Sequence, residues 1–208
     1  MLASVLRQVI AEPSRWRIDP RRVYVAGLSA GGAMALTLAA TYPDLVAAVG
    51  VHSAPAYRSA VHGGQAFAAM AARRVPPAPE GSTAMSPVVV VQGADDRVVN
   101  PANGDRVADQ WLDYAASSPD AEPVGRSRTD SGRTRDGRGW TRVRWYASRN
   151  RRVLEYWRID DLGHAWSGGR PEGSFSDPRG PRAATLMWGF FRTHRLAPAA
   201  AGRRAAGA

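Results

Sequence analysis

The chain has 208 residues, 44% of them hydrophobic, and no cysteine, so one domain with a sizeable core is expected while disulfides and thiolate metal sites are excluded. The formal net charge is +10, and every cationic residue besides histidine is arginine. No apolar run approaches the ~20 residues of a membrane span, so no membrane partner is expected. The first residues lack the charged start, continuous apolar core and cleavage site of a signal peptide.

Near the start, Leu2, Val5, Leu6, Val9 and Ile10 fall on one face of a short helix, and Ile18-Asp19-Pro20 turns the chain into an apolar strand, Val23 to Ala26. The pentapeptide Gly27-Leu28-Ser29-Ala30-Gly31 follows directly and opens an Ala/Leu-rich helical stretch from Gly32 to Ala40. A strand, a glycine-flanked serine and a helix in succession predict a nucleophile elbow, with Ser29 on a strained turn. The residues two before and two after the serine are expected to pack against backbone, so both must be small. The helix that begins there aims its free N–H groups and the positive end of its dipole at a developing oxyanion, which makes the Ala30 N–H a predicted oxyanion-hole donor.

The elbow requires an acid and then a histidine later in the chain, each after a strand. Beyond the proline-rich segment Arg73 to Ser82, read as a linker or part of a lid, Pro87-Val88-Val89-Val90-Val91 predicts a parallel strand buried on both faces. It ends in Gln92-Gly93-Ala94-Asp95-Asp96, where Asp96 is preferred as the acid and Asp95 is read as a turn residue bonding its own backbone. Ser117 to Gly139 is polar and rich in Gly, Ser and Arg, which predicts a surface loop. Trp140 to Ala147 alternates as a strand with arginines on its wet face, and Arg152 to Ile159 predicts another strand leading into Asp160-Asp161-Leu162-Gly163-His164.

His164 is therefore the candidate base. His52 and His62 precede the acid, against the required order, and His194 lies on a predicted helix, Ala184 to Leu196, whose apolar residues Leu186, Met187, Phe190 and Phe191 have helical spacing. Trp166 is positioned either to wall a substrate pocket or to pack in the core. The residues from Ala197 onward read as a disordered tail after a domain spanning 1–196. Arg126 to Arg152, with Trp140, Trp145 and Tyr146 among its arginines, raises the alternative of a nucleic-acid-binding protein. No recognised nucleic-acid motif accompanies it, and no nucleic-acid partner, metal or organic cofactor is expected.

Three stretches together, Val23 to Met34, Gly163-His164-Ala165-Trp166-Ser167-Gly168-Gly169, and Asp177-Pro178-Arg179-Gly180-Pro181 before Met187 and Phe190-Phe191, resemble the poly(3-hydroxybutyrate) depolymerase family of α/β-hydrolase esterases. The resemblance runs to about Leu196. It implies an α/β fold with a mostly parallel sheet flanked by helices, and an extracellular serine esterase acting on a polyester, its oligomers or acylated plant polysaccharides. By residue it implies Ser29 as nucleophile, Asp96 as acid in an HGxxD-like turn, and His164 as base, with Gln92 where a histidine often precedes that glycine. A complete sheet of this kind has about eight strands with the elbow after the fifth. Only Met1 to Arg22 precede Val23, so the sequence predicts the C-terminal portion of such a fold, with the elbow strand at a sheet edge and the loop that would supply a second oxyanion donor missing. A catalytically dead remnant is the remaining alternative.

Overall fold

The computed structural model describes residues 1–74, 85–117, 122–135 and 137–197. Most of the expected linker or lid and the expected tail beyond Ala197 lie outside the described residues. Helix α1 spans Leu2–Ile10 and a short α2 spans Pro13–Trp16. The apolar face of α1 is only partly used: Ala3 is buried and Leu6 packs on the core, while Leu2 and Val5 are exposed.

The elbow region forms strand β1, Tyr24–Leu28, followed after the single residue Ser29 by helix α3, Ala30–Thr41. Strand β2 is Ala48–His52, α4 is Gly63–Met70, β3 is Val88–Gly93 and α5 is Ala102–Ser117. An arginine-rich hairpin, β4 Arg126–Arg133 and β5 Gly139–Tyr146, precedes β6, Arg152–Ile159. Two-residue strands β7, Trp166–Ser167, and β8, Ser176–Asp177, pair with each other before the last helix, α6 Ala183–Phe191. His194 lies past the end of α6, not on it, with its ring 4.4 Å from that of Phe190.

The main sheet has the order β1-β2-β3-β6-β5-β4. Strands β1, β2, β3 and β6 run parallel, and β5 and β4 add an antiparallel edge. Within the described chain β1 is the opposite edge. The valines of β3 show how both faces are covered. Val88 and Val90 enter the cluster with Leu36, Val49, Trp111 and Leu154, whereas Val89 and Val91 enter the one formed with Ile159, Leu162, Met187 and Phe190. Four successive apolar residues on a period-2 strand place apolar side chains on both faces, and here a packed layer covers each face.

The expectation of a loop from Ser117 to Gly139 is overturned by β4, which pairs with β5 along its whole length. Seven of its eight residues are exposed, so no apolar alternation marks it. Its strand conformation comes from the ladder and from cross-strand pairing of Asp130 with Arg142 and Arg144. The Arg142 guanidinium also lies 4.7 Å from the Trp157 ring.

Candidate active site

Ser29 sits between β1 and α3 at φ 56°, ψ −124°. A non-glycine residue there stores roughly 1–3 kcal/mol of backbone strain, which the surrounding packing must hold. The holding contacts are direct: the Ser29 N–H donates to the His52 carbonyl at 2.9 Å, and the Ser29 carbonyl accepts from Ala33 N–H at 3.1 Å. A Cβ on Gly27 would lie 2.3 Å from the Gly31 carbonyl carbon, and one on Gly32 would lie 2.7 Å from Ala54 Cβ and 2.9 Å from the Gly27 carbonyl oxygen. A Cβ on Gly31 would meet nothing within 4 Å. The expected need for a small residue two positions after the serine is thus corrected. The Gly31 backbone forms the wall against which Gly27 packs, its own Cβ direction opens to solvent, and the second tight position is Gly32. Ala30 is exposed as the first residue of α3, where a helix leaves its N–H groups without intrahelical acceptors.

The other two predicted residues come together at the carboxyl ends of β3 and β6. Their loops are joined through backbone: Ala94 N–H donates to the Ile159 carbonyl at 2.8 Å and Asp95 N–H to the Leu162 carbonyl at 3.0 Å. The approach is close enough that a Cβ on Gly93 would stand 2.3 Å from the Leu162 carbonyl oxygen. Asp96, 3% exposed, accepts from His164 Nδ1 at 2.9 Å through Oδ2, while its Oδ1 accepts the N–H groups of Val98 and Val99 at 3.0 and 2.8 Å. Three hydrogen bonds fix the carboxylate, which when ionised can only accept. The shared proton therefore resides on His164 Nδ1, leaving Nε2 as the free basic nitrogen. Asp95 points outward, 3.6 Å from Arg97. Among the described residues Ser29 Oγ makes no hydrogen bond, so the serine half of the arrangement is open, as catalytic hydrogen bonds commonly are without substrate.

Two further neighbours stand at the site: His52, set aside as a base on its place in the chain, and Phe175, which the sequence did not single out. His52 ends β2 and is fully buried, and its electrostatic surroundings include both Asp96 and His164. Burial pushes its imidazole down to about 3, so it is neutral at any ordinary pH. Phe175, exposed and at φ 54°, sets its ring edge-on to His164 at 6.2 Å. The signal that could have found His52 is its place as the last residue of a buried parallel strand, the end where sites in open α/β sheets assemble.

Trp166 lies with its ring 5.2 Å from that of His52 and packs on the cluster of Ile159, Leu162 and Phe190. The cavity beside Ser29, about 280 Å³, is instead lined by residues of α3, α4 and the loop between β2 and α4, including Met34, Thr37, Tyr57, Ala66, Ala69 and Met70. Trp166 is half-buried and is not among the residues that line this cavity. Arg138, in the β4–β5 turn, bonds the carbonyls of Asp160 and Asp161 and the carboxylate of Asp177, tying the histidine-bearing loop to β8. Burial alone would raise the Asp177 carboxyl, but Arg138 and Arg179 outweigh it and hold it at about 2. No helix among the described residues is long and apolar enough to cross a membrane.

Four parallel strands with helices on both faces, a strained serine at the first strand-to-helix turn, and acid and histidine loops at the same sheet end define an α/β-hydrolase fold. Across 92% of the chain the fold matches an acetyl xylan esterase from Aspergillus awamori, with a TM-score of 0.63, 17% identity and 66% of that protein covered. A PHB depolymerase solved with an R3HB trimer matches over 77% of the chain and 45% of its own, with a TM-score of 0.50 and 15% identity. The sequence profile of the Esterase PHB depolymerase family matches residues 1–136, and the chain belongs to that family. It is 34% identical over 108 residues to poly(3-hydroxyalkanoate) depolymerase C of Paucimonas lemoignei, a match covering 47% of this chain and 26% of the relative. A poly(3-hydroxybutyrate) depolymerase of Ralstonia pickettii is 48% identical over 42 residues, 20% of this chain and 9% of its own. The chain thus spans about a quarter of the length of the first of these relatives.

Proposed function

We propose that this chain carries the reaction centre of an extracellular serine esterase that cleaves carboxylic esters through an acyl-enzyme. The observation that carries the reading is the Asp96–His164 hydrogen bond of 2.9 Å, formed at the sheet end where Ser29 occupies its strained turn. In the forward half-reaction Ser29 Oγ attacks the ester carbonyl carbon while His164 Nε2 accepts the hydroxyl proton. Asp96 keeps the proton on Nδ1 and stabilises the imidazolium. The Ala30 N–H and the α3 dipole face the oxyanion. His164 then returns the proton to the leaving alcohol, and water repeats the sequence on the acyl-enzyme to release the acid.

The cavity beside Ser29 has an apolar lining suited to a short acyl or hydroxyacyl unit. With the family membership and the polyhydroxyalkanoate-depolymerase relative, this favours polyester or its soluble oligomers as substrate, with acylated polysaccharide second. Little supports a nucleic-acid role for the arginines, since Arg142 and Arg144 are engaged by Asp130.

A fluorophosphonate should label Ser29, and p-nitrophenyl acetate or butyrate should be hydrolysed. Ser29→Ala should abolish both. Labelling that maps to another serine, or turnover that survives the substitution, overturns the assignment. Hydroxyacid release from hydroxybutyrate oligomers, measured beside acetate release from acetylated xylan, separates the two substrate classes.

A further inference from the structure

His52 touches both halves of the candidate site. Its carbonyl holds the Ser29 N–H at 2.9 Å, and the parallel register sets it beside Leu28. Its ring reaches the other half: Nε2 accepts the Ser167 N–H at 3.1 Å, three residues beyond His164. Only an unprotonated nitrogen can accept, so the ring proton sits on Nδ1, which donates to Ser53 Oγ at 3.1 Å. The far end of the connection is fixed too, because Ser167 Oγ donates to the Pro181 carbonyl at 2.7 Å and the Trp166 ring covers the imidazole. Ser53 takes a left-handed turn, φ 48°, with its N–H on the Val91 carbonyl at 2.9 Å. That bond connects the same corner to β3, which leads to Asp96.

We propose that His52 is a positioning residue of the esterase site, a neutral imidazole clamp that sets the His164 loop against the Ser29 elbow through the Ser167 amide. The proposal rests on the esterase reading above. His52 does not touch the reacting atoms; it acts through Ser29 and Ser167. The charged groups in its surroundings are Asp96 and, when protonated, His164. Opposite in sign, they do not force a proton onto a ring that burial keeps neutral.

Side-chain length provides the test. The amide of asparagine reaches the place of Nδ1, whereas the amide of glutamine reaches that of Nε2 and can offer its oxygen to the Ser167 N–H. His52→Leu and His52→Asn should lower kcat, and the rate of Ser29 labelling, by about a hundredfold, the scale of an ångström-sized misplacement. KM for a small ester should stay within about twofold, because the cavity is lined by α3, α4 and the β2–α4 loop and neither His52 nor Ser167 lines it. His52→Gln should recover most of the rate. Amide hydrogen exchange at Ser167 should be slow in the parent and His52→Gln and fast in His52→Leu and His52→Asn. Leu and Asn variants that turn over like the parent overturn the proposal. So does a Gln variant as impaired as Asn, or Ser167 exchange that ignores all three substitutions. If the parent chain is itself unlabelled at Ser29 the esterase reading falls, and the exchange pattern still decides whether His52 clamps the loop.

Discussion

Replacing Gly27 by alanine places a methyl group 2.3 Å and 2.4 Å from the Gly31 carbonyl carbon and oxygen, and 2.7 Å from the Gly32 nitrogen. All three are backbone atoms of the first turn of α3, and no flexible side chain can move aside. Carbon atoms pack at about 3.5–4.0 Å, so α3 must retreat from β1 by more than about 1 Å. Overpacking typically costs 1–3 kcal/mol, and a rigid wall puts this case near ~3 kcal/mol. At roughly 2–4 °C per kcal/mol for a domain of this size, Gly27→Ala should lower Tm by about 6–12 °C. Gly31→Ala is the internal control: its methyl meets open space, and alanine is the better helix former by up to ~1 kcal/mol, so Tm should hold or rise by up to about 4 °C. Thermal melts followed by circular dichroism measure both variants, and Ser29 labelling should fall only in Gly27→Ala. A Gly27→Ala protein that melts with the parent, or a Gly31→Ala protein that falls as far, would refute the close approach of β1 and α3.

Asp96→Asn should lower turnover by up to about ten-thousandfold, as the amide favours the wrong tautomer of His164, while Asp95→Asn, at an exposed position, should cost much less; steady-state kinetics of both decides, and the reverse ranking transfers the role to Asp95. Asp177, held at about 2 by Arg138 and Arg179, should make stability pH-dependent in a defined direction. A carboxyl depressed in the folded state contributes stability above its unfolded value near 3.8 and loses it as pH falls toward 2. Denaturant titrations should therefore show Asp177→Asn less stable than the parent at neutral pH, with the gap closing between about pH 4 and pH 2; a gap that stays constant across that window refutes the linkage.

Much of the site is written in local pattern. Val88 to Val91 predicts a strand buried on both faces, Gly27 to Gly31 after an apolar strand predicts a tight strand-to-helix turn, and the order of serine, acid and histidine follows from what such a turn requires of the loops after later strands. These features depend on neighbours within a few residues, so the chain carries them before it folds. Other features depend on what the sheet order brings together. Strand β4 has no apolar alternation and exists because β5 offers a ladder and Arg142 meets Asp130 across it. Gly32, not Gly31, is the second crowded glycine, because Ala54 arrives from the end of β2. His52, unpromising as a base by its position in the chain, stands beside Ser29 and under the His164 loop only because β2 is inserted between β1 and β3, where parallel pairing puts residues 52 and 28 in register and residues 52 and 91 in the next pair. A contact between residues 115 positions apart, such as His52 with Ser167, leaves no periodic trace in the chain and is decided by tertiary packing alone.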